Sequence, residues 1–281
     1  MENSLNKNFD SILNLKNSLQ EGGLRTKNIF KKTNDKNPLI SIITVVLNGD
    51  KYLEECIKSL HNQKIDNYEH IIIDGGSSDN TINIIKKFEN KIDYWCQIND
   101  EGIYDAFNYG MQLARGSYLG FLNSDDTFTN NTFFYLNDYI KKFPEKDFIF
   151  GSVKKHWGIL HGYKPSKIYW SWGFYSSHST GFFIKLSSAK KIGFYNLKYK
   201  YSSDYDYFFR MIVKEKMNGI GTKKEEIFGI FRRGGYSSKI KFIDHFFEEI
   251  NIRIDNGQNK FLILLIFIYK YLKHFSKINP Q

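Results

Sequence analysis

Three apolar runs constrain this chain more than any other feature. ISIITVVL (40–47), EHIIID (69–74) and YLGFL (118–122) end in stretches without polar–apolar alternation, the pattern of strands covered on both faces. Helical spacing fills the intervals. Residues 51–61 put Leu53, Cys56, Ile57 and Leu60 on one face. Ser77, Ser78 and Asp79 offer caps for a helix carrying Ile82, Ile85 and Phe88, and residues 103–114 read as a helix ending at Gly116. A short strand near 93–98, a helix around 130–142 and a strand at 147–151 continue the series. Such alternation predicts an α/β domain, with a mostly parallel central sheet flanked by helices. In such sheets ligands bind beyond the carboxyl ends of the strands.

The length of 281 residues accommodates one large α/β domain with additions, or two small ones. Residues 1–37 are polar and read as a leader or arm, with room for one helix through Phe9, Ile12 and Leu15. Residues 38–250 form the expected catalytic domain, and residues 251–281 a basic, apolar helical tail. The start of the chain has no apolar signal core, and the two cysteines, Cys56 and Cys96, make no disulfide framework. Both features predict a cytoplasmic protein. The net charge of +10 suits a polyanionic partner: nucleic acid, anionic lipid or a phosphorylated ligand.

Candidate chemistry sits at the strand ends. Asp125 and Asp126 follow YLGFL directly. Adjacent carboxylates repel unless a cation or donors lie between them, and hard divalent cations bridge carboxylates to phosphates. A turn capping the next helix would use the same residues. Asp74 ends the second buried run and precedes GGSSDNT. It suits hydrogen bonding to a base or ribose, as well as an ordinary Asp-Gly turn. NDEGIYDAFNYG (99–110) leads into a helix start, where anions are favoured. SSDYDYFFR (202–210) puts Asp204 and Asp206 at another, where acids are also routine caps. His178, Trp172 with Trp170 and Tyr175, and Arg233 with Arg232 are candidates for acceptor or diphosphate contacts. Core packing or a solvated basic turn would explain them equally simply.

Taken in order, ISIITVVLNGDKYLEECIKSL, IIIDGGSSDNT, DEGIYDAFNYG and GFLNSDD resemble glycosyltransferase family 2, a family of inverting transferases with the GT-A fold. HSTGFFIK (178–185), IGFYN (192–196), SSDYDYFFR and FRRGGYSS resemble later family segments, so the likeness runs from residue 38 to about 240. The resemblance implies that Thr44, Val46 and Asn48 line the nucleotide and that Asp74 binds its uracil or ribose. Asp100 and Asn108 would sit near the donor. Asp126 would be the main ligand of Mn²⁺ or Mg²⁺, with Asp125 on the ribose or metal, and Asp204, rather than Asp206, the general base. Two departures stand out: Leu47 occupies a place where many members carry a base-stacking Tyr, and Ser203 stands where a Glu is common.

The implied partners are a nucleotide-sugar donor, such as a UDP-sugar, and a glycan or lipid-linked glycan acceptor in surface polysaccharide synthesis. A nucleotidyltransferase would carry a basic Gly-rich loop after the first strand, where this chain has NGDKYLEE. A basic nucleic-acid-binding protein would need a recognisable module, and none is present. The run FLILLIFIY (261–269), flanked by Lys260, Lys270, Lys273 and Lys277, is too short to span a bilayer. It suits a peripheral contact with the cytoplasmic face of a membrane, or packing on the catalytic domain.

Overall fold

The computed structural model describes residues 18–32, 38–170, 178–234 and 240–275. Trp172, Tyr175, Lys277 and the helix expected through Phe9, Ile12 and Leu15 lie outside the described residues.

In chain order the first half holds β1 (Gln20–Gly22), β2 (Ile40–Val46), α1 (Leu53–His61), β3 (Tyr68–Asp74), α2 (Thr81–Lys87), β4 (Tyr94–Gln97), α3 (Ile103–Leu113) and β5 (Tyr118–Phe121). Next come β6 (Thr127–Phe128), α4 (Thr132–Lys142), β7 (Phe148–Phe150), β8 (Ser152–Lys155), β9 (Gly158–Leu160), α5 (Pro165–Trp170), β10 (Phe182–Lys185) and α6 (Leu186–Ile192). The chain continues with α7 (Ser203–Phe209), β11 (Gly219–Gly221), β12 (Ile227–Ile230), α8 (Phe242–Asp255) and α9 (Lys260–Lys273).

The main sheet has eight strands in the order β1-β4-β3-β2-β5-β10-β7-β11. The neighbours β4, β3, β2 and β5 run parallel. Only β1 and β10 oppose the common direction. The expected α/β sheet flanked by helices is therefore present, with three strands that periodicity did not reveal, β1, β10 and β11. A 3-10 turn at Ser179–Gly181 returns the chain to the sheet, and β10 enters between β5 and β7. A second sheet, β6-β12-β8-β9, lies beside the carboxyl end of β5.

Side chains of β2 alternate between two cores. Ile43 and Val45 join Phe107, Phe121, Tyr205 and Phe208 on the side of α3 and α7. Ile40 and Ile42 join Cys56, Leu60, Phe133 and Phe183 on the side of α1 and α4. A fully buried side chain of this kind contributes roughly 1.5–3 kcal/mol. The helix α3 ends where expected, but Gly116 is not its left-handed cap. A Cβ there would lie 2.6 Å from the Ser41 amide nitrogen and 2.7 Å from the Leu39 carbonyl oxygen, so Gly116 lets the chain pass close beside β2.

Part of the segment expected as an arm packs on the sheet edge. β1 pairs with β4, and Arg25 reaches Glu69 of β3 at 2.6 Å with both side chains largely out of solvent. Local composition could not show this, because Glu69 lies 44 residues away. At the other end, α8 runs through the boundary expected near residue 250. α9 packs on it through Phe246, Ile250, Ile263 and Ile266. The outer face of α9 leaves Phe261, Leu264, Leu265, Ile268 and Leu272 exposed. Lys270, expected to reach a membrane surface, is instead buried against Glu249. No helix among the described residues is long and apolar enough to cross a membrane.

Candidate active site

The carboxyl ends of β2, β3, β4 and β5 lie along one edge. Two loops are stitched together there. The Asn48 amide, at φ 50°, donates to Ser77 Oγ at 2.7 Å, and Ser78 N donates to Asn48 Oδ1 at 2.9 Å. Asn48 tolerates this left-handed conformation better than most residues. Leu47 beside it is 59% exposed.

Asp74 ends β3 with its side chain fully buried. Its Oδ2 accepts from Gly76 N at 3.2 Å, Ser77 N at 2.9 Å and Gln97 Nε2 at 2.8 Å. Its Oδ1 is buried and has no hydrogen-bond partner. A buried acceptor left without a donor costs free energy, so this atom is suited to a ligand N–H or O–H. Asp100 stands next to it: a Cβ at Gly75 would meet Asp100 Oδ2 at 2.3 Å, so only glycine fits there. Thus Asp74, Asp100, Asn48 and Leu47 come together.

Three expected contacts do not join them. Thr44 is fully buried, with Oγ1 3.0 Å from His70 Nε2. Val46 packs in the core beneath α1 and α2 with Leu53, Ile57 and Ile85. Asn108 donates to Tyr195 O at 2.9 Å and accepts from Tyr195 N at 2.8 Å. Both ends of its amide are engaged, and its place is inside the fold rather than against a donor. The residue types suited a polar cleft, but strand register and helix phase turn them inward.

The second group of acids follows β5. The Asp126 amide closes a turn onto Asn123 O at 3.0 Å. Its side chain is fully buried: Oδ1 accepts from Arg232 N at 3.0 Å, and Oδ2 from Thr180 Oγ1 at 2.8 Å and Asn123 Nδ2 at 3.3 Å. Burial, then the Asp125 charge, pushes the Asp126 carboxyl up to about 7. Burial also raises Asp125. His178 Nδ1 lies 3.5 Å from Asp126 Oδ2. Burial, then the Lys155 charge, takes that imidazole down to about 3, so it is neutral at physiological pH. Arg232 is tied to Glu55 at 2.5 Å and to the Asp125 carbonyl at 3.1 Å, whereas Arg233 is exposed.

Two adjacent carboxyls that resist ionisation together are suited to a divalent cation. No group of three or more His, Cys, Asp or Glu side chains among the described residues could hold a metal ion alone. A cation at this turn would therefore need further ligands from outside the protein, such as phosphate oxygens and water.

The third group lies on α7. Asp204 Oδ1 accepts from Tyr104 Oη at 3.2 Å and from Tyr205 N at 2.8 Å. Burial raises its pKa against these donors. Asp206 turns the other way. It pairs with Arg210 at 2.8 Å and accepts from Asn256 Nδ2 at 2.9 Å. The loop before α7 is held by α8: Glu248 accepts from the amides of Lys200, Tyr201 and Ser202, each at 2.8 Å. Sequence reasoning missed Glu248, which carries no local signal, and passed over Tyr104 and Thr180 inside the segments NDEGIYDAFNYG and HSTGFFIK.

Strand-end loops with a buried acceptor, a paired acidic turn and a desolvated acid on a helix define a nucleotide-binding α/β transferase of the GT-A kind. The chain belongs to glycosyl transferase family 2: that family's model matches residues 41–214, more than half of its length. It is 30% identical over 194 residues to an uncharacterized glycosyltransferase of Rickettsia typhi, covering 64% of this chain and 61% of that one. It is 29% identical over 185 residues to a PGL/p-HBAD biosynthesis glycosyltransferase of Mycobacterium bovis, covering 62% of this chain and 69% of the relative. Among solved structures, S. aureus TarS 1-349 in complex with UDP-GlcNAc matches with a TM-score of 0.65 and 19% identity, over 85% of this chain and 73% of that one. A mannosyltransferase from Pyrobaculum calidifontis in complex with GDP-Man and Mn²⁺ matches at 0.62 and 16%, over 90% and 76%.

Proposed function

We propose that this glycosyltransferase moves a hexosyl or N-acetylhexosaminyl group from a UDP-sugar to a hydroxyl of a glycan or lipid-linked glycan, with inversion, in surface polysaccharide synthesis. The observation that carries the donor reading is the buried, unpartnered Oδ1 of Asp74 at the end of β3. One acceptor oxygen beside the exposed Leu47 suits the single N–H on the pairing edge of uracil, with Leu47 packing on the ring. Asp100 and Asn48 border the same place. A PGL/p-HBAD biosynthesis glycosyltransferase among the relatives and a neighbour bound to UDP-GlcNAc support the reading.

Asp125 and Asp126 would hold Mn²⁺ or Mg²⁺ together with the donor diphosphate. When bound, the cation would serve as a Lewis acid and template for the leaving group. Asp204 takes the proton of the acceptor hydroxyl as that oxygen attacks the anomeric carbon. The new C–O bond forms on the face opposite the diphosphate, and the electron pair of the broken C–O bond leaves with the phosphate oxygen. No enzyme nucleophile is required, and inversion follows from the single displacement. Burial keeps Asp204 basic enough for this role.

The catalytic unit spans residues 38–250 together with the rest of α8, because Glu248 and Asn256 hold α7 in place. We place the protein on the cytoplasmic side, in peripheral contact with a membrane through the exposed face of α9. A thermal-shift panel of nucleotide sugars with Mn²⁺ tests the function. A ligand of the folded state raises the melting temperature. UDP-sugars should do so in the wild type, and chelator or Asp126→Ala should abolish the rise. No shift with any UDP-sugar would sink the donor reading.

A further inference from the structure

Lys155 ends β8, in the small sheet beside the acidic turn. Its neighbour Lys154 holds β12's continuation, since Phe231 N donates to Lys154 O at 2.9 Å. The Lys155 ammonium sits 4.5 Å from the centre of the Phe231 ring. His178 packs on the same ring at 4.7 Å, and its Nδ1 is 3.5 Å from Asp126. Lys155, Phe231, His178 and Asp126 thus form one cluster at the carboxyl end of β5. Burial lowers the Lys155 pKa, while Asp126 and then Asp204 act to raise it. The ammonium therefore stands among the groups that line the acidic turn.

Other cations nearby are committed or unsuited. Arg232 is bound to Glu55 and to the Asp125 carbonyl, with its guanidinium 4.4 Å from the Tyr52 ring. His178 is neutral at physiological pH. Lys155 makes no hydrogen bond or ion pair among the described residues. Its aromatic contact steadies the charge while leaving its N–H groups available to an acceptor.

We propose that Lys155 is a catalytic residue of the transfer reaction, and that its ammonium binds the leaving phosphate of the nucleotide-sugar donor. The inference rests on the donor reading above. A donor phosphate held at the acidic turn would bring its oxygens to the cluster in which Lys155 is found. Negative charge grows on the departing oxygen as the sugar leaves. A fixed ammonium in a partly dehydrated site stabilises it without reorganisation. Lys155 then shares the neutralisation of the diphosphate with the acidic turn and its cation.

Calorimetric titration of UDP and UMP, at fixed Mn²⁺, into wild type and Lys155→Met tests this. Methionine keeps a stem against Phe231 and removes the charge. Only UDP carries the phosphate in question. Lys155→Met should weaken UDP roughly tenfold or more, the usual scale for a charge-assisted hydrogen bond, and leave UMP unchanged. Lys155→Arg should recover part of the loss. Equal UDP affinity in wild type and Lys155→Met would overturn the proposal, as would a parallel loss of UDP and UMP. Wild-type protein that binds neither nucleotide would instead overturn the UDP-donor reading on which the proposal stands.

Discussion

Asp206 on α7 and Arg210, one turn on in the π-helical stretch Arg210–Lys214 that continues it, form an ion pair at 2.8 Å in which both side chains are nearly removed from solvent. Arg210 also donates to the carbonyls of Ile192 and Phe194, each at 2.7 Å, so the pair fastens the loop after α6 to α7. This distinguishes two acids that the sequence places in equivalent settings. Removing one partner of a buried pair costs about 3–5 kcal/mol. Asp206→Ala should therefore lower stability to denaturant on that scale, while the folded fraction keeps its nucleotide affinity. An Asp206→Ala protein as stable as wild type would contradict this assignment.

Glu248 should act on turnover rather than on donor binding. It gathers the three amides that precede Asp204 and lies outside the segment matched by the family model. Misplacement of a catalytic group by about 1 Å can cost roughly a hundredfold. Glu248→Ala should lower kcat by up to that amount with KM for the nucleotide sugar unchanged. Glu248→Gln, which keeps one carbonyl acceptor, should recover part of it. A rise in KM with kcat intact would show that Glu248 serves the donor site instead.

A fully buried histidine, His70, and a partly buried one, His61, set an acid limit. His61 Nε2 and His70 Nδ1 are 3.3 Å apart, and His70 Nε2 reaches Thr44. Burial takes His61 down to about 4 and His70 well below its ordinary value. A depressed folded pKa means that the neutral form is favoured in the fold. Its contribution to stability is present above the unfolded pKa of about 6.5 and is lost as pH falls through the folded value. Urea midpoints between pH 7 and pH 4 should fall more steeply for wild type than for His61→Phe. Parallel profiles would exclude the histidines as the source.

The parallel heart of the fold was legible because β2, β3 and β5 are covered on both faces and lack alternation. The acids at their ends followed from that placement. β10 was hidden because FFIK is only four residues long and lies in an aromatic-rich stretch. The family resemblance put Thr44 and Asn108 by the donor, but side-chain direction depends on register and on partners such as His70 and Tyr195. Asp206 is set apart from Asp204 by Arg210, four residues on, and by Asn256, 50 residues beyond it. No local pattern carries a contact of that range. Lys155 was missed for the same reason, since its neighbours come from three separate segments.

The outer face of α9 is tested by vesicle flotation. Truncation before α9 would uncover Phe246 and Ile250 and leave Glu249 without Lys270, so it confounds folding with binding. Leu264→Gln, Ile268→Gln and Leu272→Gln alter only exposed positions. The wild type should float with anionic vesicles, and the triple variant should remain in solution with an unchanged melting curve. Equal flotation of both proteins would exclude this face as the membrane contact.

The central claim is sugar transfer from a UDP-sugar with Asp204 as the base. Its most direct test is UDP release from a panel of UDP-sugars with Mn²⁺ and a candidate lipid-linked acceptor pool, comparing wild type with Asp204→Asn. Asparagine nearly matches the shape of aspartate but cannot take the proton. The account predicts release by wild type and a fall of about 10²–10⁴ in Asp204→Asn, with calorimetric UDP affinity retained. Release from no UDP-sugar, or equal release by both proteins, would contradict it.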